Sequence, residues 1–183
     1  MNLPDVHRRA LAATGAIVNH IGDDQLSAVT PCEDYDVSGL LTHLIGGNHW
    51  VAPLVGGKTI EEVGDSLDRD YGPADYDPSA READAAFSAD DAMDAPVAVS
   101  YGPVPGSVYA GHRFLDVLIH GWDLAVATGQ DTTLDPDLVA ACFEVIEPQL
   151  DLLKGSGMFG TEIPVAADAD PQTKLLAVLG RRA

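Results

Sequence analysis

Between Pro105 and Gly129 lies the longest apolar stretch of the chain, and its length and punctuation predict a helix buried on most sides. Proline opens it where a missing N–H costs nothing, and glycine closes it. Inside, Phe114-Leu115-Asp116-Val117-Leu118-Ile119-His120-Gly121-Trp122-Asp123-Leu124 sets a carboxylate and an imidazole four residues apart in a core-like segment. Four residues is slightly more than one turn, so Asp116 and His120 share a face. Such groups are costly to bury unless paired with each other or with a cation. The helix needs others to cover it, and its polar pair needs a partner.

Val6, Ala10, Ala13, Ile17 and Ile21 recur at helical intervals and predict a helix over 3–22. Pro31 makes Thr30-Pro31-Cys32-Glu33-Asp34-Tyr35 a connector, after which Asp36 reads as the N-cap of a helix from Val37 to about Ala52. That helix carries His43 and is closed by Pro53 and Gly56-Gly57. Residues 58–80, rich in Asp, Gly and Pro, read mostly as loop, and Asp77-Pro78 opens an Ala-rich helix over about 78–92. Pro96 to Gly102 alternates like an edge strand or an extended crossing segment. Asp135 caps a helix from Pro136 to Leu153, ended by glycines 155, 157 and 160. Glu162 to Val165 is extended, and Pro171 to Leu179 a short final helix. Strands alternating with helices are missing, which excludes a doubly wound α/β fold. The expectation is one all-α domain over 1–183, a helical bundle with its core at about 3–153, short extended segments and a small C-terminal extension at 154–183.

The chain has 46% hydrophobic residues, ample for a core, but no apolar run near the roughly 20 residues that span a bilayer. Its start lacks a basic region followed by an apolar one, so a cytoplasmic location is expected. Cys32 and Cys142 have no metal-type spacing and are expected as reduced thiols, Cys32 in a buried structural role. The net charge of −19 argues against nucleic acid and anionic membrane surfaces as partners.

The candidate ligands are His43 on the second helix and Asp116 with His120 on the long one. In a bundle, two inward-facing ligands one turn apart meet a third from a facing helix. Two imidazoles and a carboxylate suit a divalent metal; zinc is the first choice, and nickel, iron and manganese also accept this set. Three protein ligands leave a position open for water or substrate. The competing reading makes His43 a hydrogen-bonded core histidine and Asp116–His120 a self-satisfying pair. His112, one turn earlier, stands too far along the helix to join all of them on one ion, and is expected beside the site or on the surface. His49 turns away from His43. Trp122 reads as core, and Asp123 as a group that orients an imidazole or caps a neighbouring helix. Gly46-Gly47 within a helix points to close helix approach or a kink.

Thr30-Pro31-Cys32 with Tyr35-Asp36-Val37, Leu41-Thr42-His43-Leu44-Ile45-Gly46-Gly47-Asn48, and Val117-Leu118-Ile119-His120-Gly121-Trp122-Asp123-Leu124-Ala125 resemble an actinobacterial metal-binding family. It is the family related to the N-terminal domain of mycothiol-dependent maleylpyruvate isomerase, within the DinB-like superfamily. Val165 to Pro171 and Leu175 to Arg181 are similar to its tail, so the resemblance covers nearly the whole chain. It implies a DinB-like four-helix bundle holding a divalent metal through one His of the second helix and a Glu-x3-His pair of a later helix. These positions fall on His43, Asp116 and His120, with aspartate where the isomerase has glutamate.

The resemblance further implies mycothiol as a thiol cofactor, with isomerisation or S-transfer as the chemistry. About 50 residues follow Asp131, too few for the isomerase's second domain, so maleylpyruvate isomerase activity itself is not expected. The partner is then a small-molecule thiol or electrophile. The alternative is a non-catalytic metal binder acting as sensor, carrier or homodimer scaffold, and a weaker one is a structural bundle with an empty site.

Overall fold

A computed structural model describes residues 1–67, 69–149 and 161–182. Helices dominate, with one small antiparallel hairpin, and the chain divides into two compact units. Asn2–Asp131 form the first; Met1 and the residues from Thr132 onward form the second.

In the first unit, α1 (Leu3–Val18) is capped by Asn2, whose side chain accepts from the Asp5 amide. Its expected extension to residue 22 is replaced by a turn at Asn19, though Ile21 still buries its side chain. Helix α2 (Val37–Val55) begins as expected at Asp36, which accepts from the Gly39 amide at 2.8 Å. It runs through Pro53, because in the last turn a proline removes one bond without breaking the ladder behind it. Within the expected loop, Thr59 and Glu62 form a reciprocal cap that nucleates the short α3 (Ile60–Val63).

Helix α4 (Tyr76–Phe87) starts one residue before the expected Asp77 cap and ends five before residue 92. Pro78 sits in its first turn, where no donor is required. The alternating segment is half of a hairpin, β1 (Pro96–Val99) pairing with β2 (Gly102–Pro105) from Pro96↔Pro105 to Val99↔Gly102. Helix α5 (Gly106–Thr128) then ends at Gly129 in the left-handed region, φ +70°, as the sequence predicts.

Helix α5 packs on α1 and α2, and α4 also packs on α1 and α2. The apolar faces meet in a core that includes Leu40, Leu41, Leu44, Phe114, Leu118 and Leu124. Helices α1 and α5 approach closely at Gly121, where a Cβ would lie 2.2 Å from Thr14 Oγ1. That hydroxyl donates to the Val117 carbonyl at 2.9 Å, so it cannot simply rotate away. Gly121→Ala should therefore destabilise by about 1–3 kcal/mol, seen as a lower urea midpoint. An unchanged midpoint would mean that α1 yields without cost.

In the second unit, α6 (Pro136–Ile146) is capped by Asp135, which accepts from the Asp137 amide at 2.9 Å. The α-helix gives way to a 3-10 turn at Glu147–Gln149, short of the expected end at Leu153. Residues 150–153, the glycines at 155, 157 and 160, and the expected 153–154 boundary lie outside the described residues. Helix α7 (Pro171–Val178) is capped by Asp170 and packs on α6. Residues 162–165 are free of regular structure, with the Ile163 amide donating to the Ala177 carbonyl. Among the described residues no helix is long and apolar enough to cross a membrane.

Candidate metal centre

His43 stands in the second turn of α2, and Asp116 and His120 are one turn apart in the middle of α5. Because α2 packs on α5, the three side chains meet. His43 Nε2 lies 3.0 Å and His120 Nε2 lies 3.3 Å from the same oxygen, Asp116 Oδ1. The two imidazoles stand edge to face with centroids 5.1 Å apart. One donor atom from each residue falls within 4.8 Å of the other two, a spacing that admits a single divalent ion with nitrogen, nitrogen and oxygen ligands. The site is sheltered yet reachable: the side chains of His43, Asp116 and His120 are 33%, 22% and 9% exposed.

The second oxygen of Asp116 belongs to Arg113, a residue the sequence analysis passed over. Its Nη1 donates to Asp116 Oδ2 at 2.6 Å, and its Nη2 to Asn48 Oδ1 at 3.0 Å and the Leu44 carbonyl at 3.3 Å. The guanidinium is almost wholly buried and lies against Gly47, where a Cβ would sit 2.3 Å from Nη1. The expectation of close helix approach or a kink at Gly46-Gly47 takes a specific form here, a side chain of α5 lying against Gly47. Gly47 is a notch cut for an arginine, and Gly46 opens toward the groove, with Tyr71 near it. The available signal was a lone cation three residues before the aspartate in an apolar run.

Behind His120, Asp123 accepts from Nδ1–H at 2.9 Å and is fully buried. That bond fixes the ring and keeps Nε2 on the side of Asp116, as orienting carboxylates do behind ligand histidines. Burial opposes charge on both members of the pair, and the pairing overrides it. The Asp116 carboxyl, pushed up by burial, is held well below the usual carboxylate range by Arg113, then His43 and His120. His120, pulled down by burial, is brought up to about 9 by Asp116 and then Asp123.

The connector also contributes. Thr30 Oγ1 accepts from the Cys32 amide and donates to the Tyr35 carbonyl, which presents the Tyr35 ring 5.4 Å from that of His43. Cys32 is half-buried rather than enclosed, with Sγ within 4.8 Å of a His120 nitrogen and an Asp123 oxygen. Tyr35, Gly39, Thr42, Gly46 and Trp50 line an open groove of about 510 Å³ that reaches His43. His112 is held by the hairpin instead, with Tyr101 Oη 2.9 Å from Nδ1. His49 pairs with Glu82 at 2.7 Å, and Trp122 is buried in the core as expected.

Three comparisons relate the chain to known proteins. Residues 7–125 match the family model described as the mycothiol maleylpyruvate isomerase N-terminal domain. Two uncharacterized proteins, from two strains of Mycobacterium tuberculosis, are each 36% identical over 180 residues, covering 96% of this chain and 95% of theirs. A crystal structure of a mutant mycothiol-dependent maleylpyruvate isomerase superposes with a TM-score of 0.64 at 16% identity, covering 81% of this chain and 68% of that one. At that identity the likeness is one of fold.

Proposed function

The chain belongs to the mycothiol maleylpyruvate isomerase N-terminal domain family, and from that footing we propose that it is a divalent-metal protein that presents an ion to a low-molecular-weight thiol. The ligands are His43, Asp116 and His120, and zinc suits them best. The four helices α1, α2, α4 and α5 are read as a DinB-like bundle whose interior seats the ion. The thiol is mycothiol or a relative, and the reaction is an isomerisation or an S-transfer to an electrophile.

One observation carries the reading: three donor atoms of suitable chemistry, from two helices, converge on one point. Asp123 fixes the tautomer of His120, Arg113 steadies Asp116, and the groove beside His43 gives access for a ligand. A divalent ion held there supplies a lowered pKa for a bound thiol, and hence a thiolate at neutral pH.

Elemental analysis of protein purified without chelators should find about one ion per chain, and His43→Ala with His120→Ala should remove it. Full occupancy in the double variant would overturn the ligand set. The thiol reading is tested separately, by calorimetry of the loaded protein with mycothiol; absence of binding would favour a carrier or sensor.

A further inference from the structure

We propose that Arg113 makes this centre selective for an anionic ligand, by occupying one oxygen of Asp116 and adding a buried positive charge beside the ion. The inference rests on the metal-binding reading above and gives it a ligand class. Arg113 Nη1 takes Asp116 Oδ2, so only Oδ1, which faces both imidazoles, is left for an ion. The guanidinium is built in rather than incidental. Asn48 and the Leu44 carbonyl hold its other nitrogen, and Gly47 gives up its side chain to admit it.

Charge then decides what the open position accepts. Asp116 and Asp123 supply two negative charges, set against a divalent ion and the guanidinium. One positive charge is left in a sheltered pocket, where Coulomb interactions are stronger than in water. A monoanion such as a thiolate neutralises it, whereas a neutral ligand of equal donor strength leaves it standing. Arg113 is thus a positioning residue that acts on the exogenous ligand through charge and through Asp116.

The test uses the cobalt(II)-loaded protein, titrated with azide as the anionic probe and imidazole as the neutral one, and read from the visible cobalt spectrum. Arg113→Gln should weaken azide by about tenfold or more and leave imidazole within about threefold. Arg113→Lys, which keeps the charge, should retain azide binding. If the Gln variant fails to fold by circular dichroism, Gly47→Ala, which displaces the guanidinium from its notch, replaces it and should show the same selective loss. Parallel loss of both probes would assign Arg113 a purely structural role and overturn the proposal, as would unchanged azide binding. Wild-type protein that takes up no cobalt would instead overturn the metal-binding reading on which the proposal stands.

Discussion

Zinc affinity should climb about tenfold for each pH unit from about pH 6 to about pH 9, and then level off. The cause is His120. In the metal-free protein, Asp116 and Asp123 outweigh burial and raise this imidazole to about 9, so below that pH it carries a proton. Zinc binds the neutral ring, and each ion must displace the proton to reach Nε2. The sign follows: the lower the pH, the more fully the proton competes, and affinity falls by the same factor as the neutral fraction. Across this range the change is about a thousandfold. Competition titrations against a chromophoric chelator at several pH values would measure it. Asp123→Asn removes one of the two carboxylates that hold the proton, so the plateau should begin at lower pH. A curve already flat at pH 7 in the wild-type protein would mean that His120 carries no proton there.

In metal-free protein, Asp116→Ala should cost about 3–5 kcal/mol of unfolding free energy, the second large effect. The loss comes less from the aspartate itself than from what it leaves behind. Arg113 is buried, and its one anionic contact shown in the site is Asp116 Oδ2 at 2.6 Å. Without it the guanidinium keeps Asn48 and a backbone carbonyl, which accept hydrogen bonds but supply no negative charge. Urea denaturation after chelator treatment would read the effect. A second variant, Asp116→Ala with Arg113→Leu, should recover part of the loss, because the stranded charge is gone. A cost below about 1 kcal/mol for Asp116→Ala alone would show that water or Asn48 suffices for Arg113.

Periodicity and punctuation located most of the elements of the first unit. Asp36, Asp135 and Gly129 act as caps because short-range chemistry fixes them. The boundaries that moved were those set by longer-range forces. Proline permits a helix at either end, so Pro53 and Pro78 were ambiguous, and packing of α4 against α1 and α2 decided its extent. The hairpin escaped because its return strand, Gly102–Pro105, is only four residues long and carries two prolines. In the site, Asp116, His120 and Asp123 are one-helix relationships and follow from residue spacing. His43 requires that α2 face α5, which the bundle reading offered against a competing core-histidine reading and the resemblance then supported. Arg113 stands three residues before Asp116 on the same helix, an interval visible in the sequence. What no interval encodes is that Leu44, Gly47 and Asn48 of α2 enclose it, or that Cys32 comes near His120 and Asp123.

The notch at Gly47 has a historical consequence. A glycine in mid-helix is normally free to become alanine, and helix propensity favours the change. Here that change would push the Arg113 guanidinium out of its place against Asp116 and Asn48. Conversely, a lineage that loses the arginine releases position 47 to any helix former. The two positions, distant in sequence, are therefore expected to change together, and their joint gain or loss across descendants would mark where the proposed ligand preference arose or lapsed.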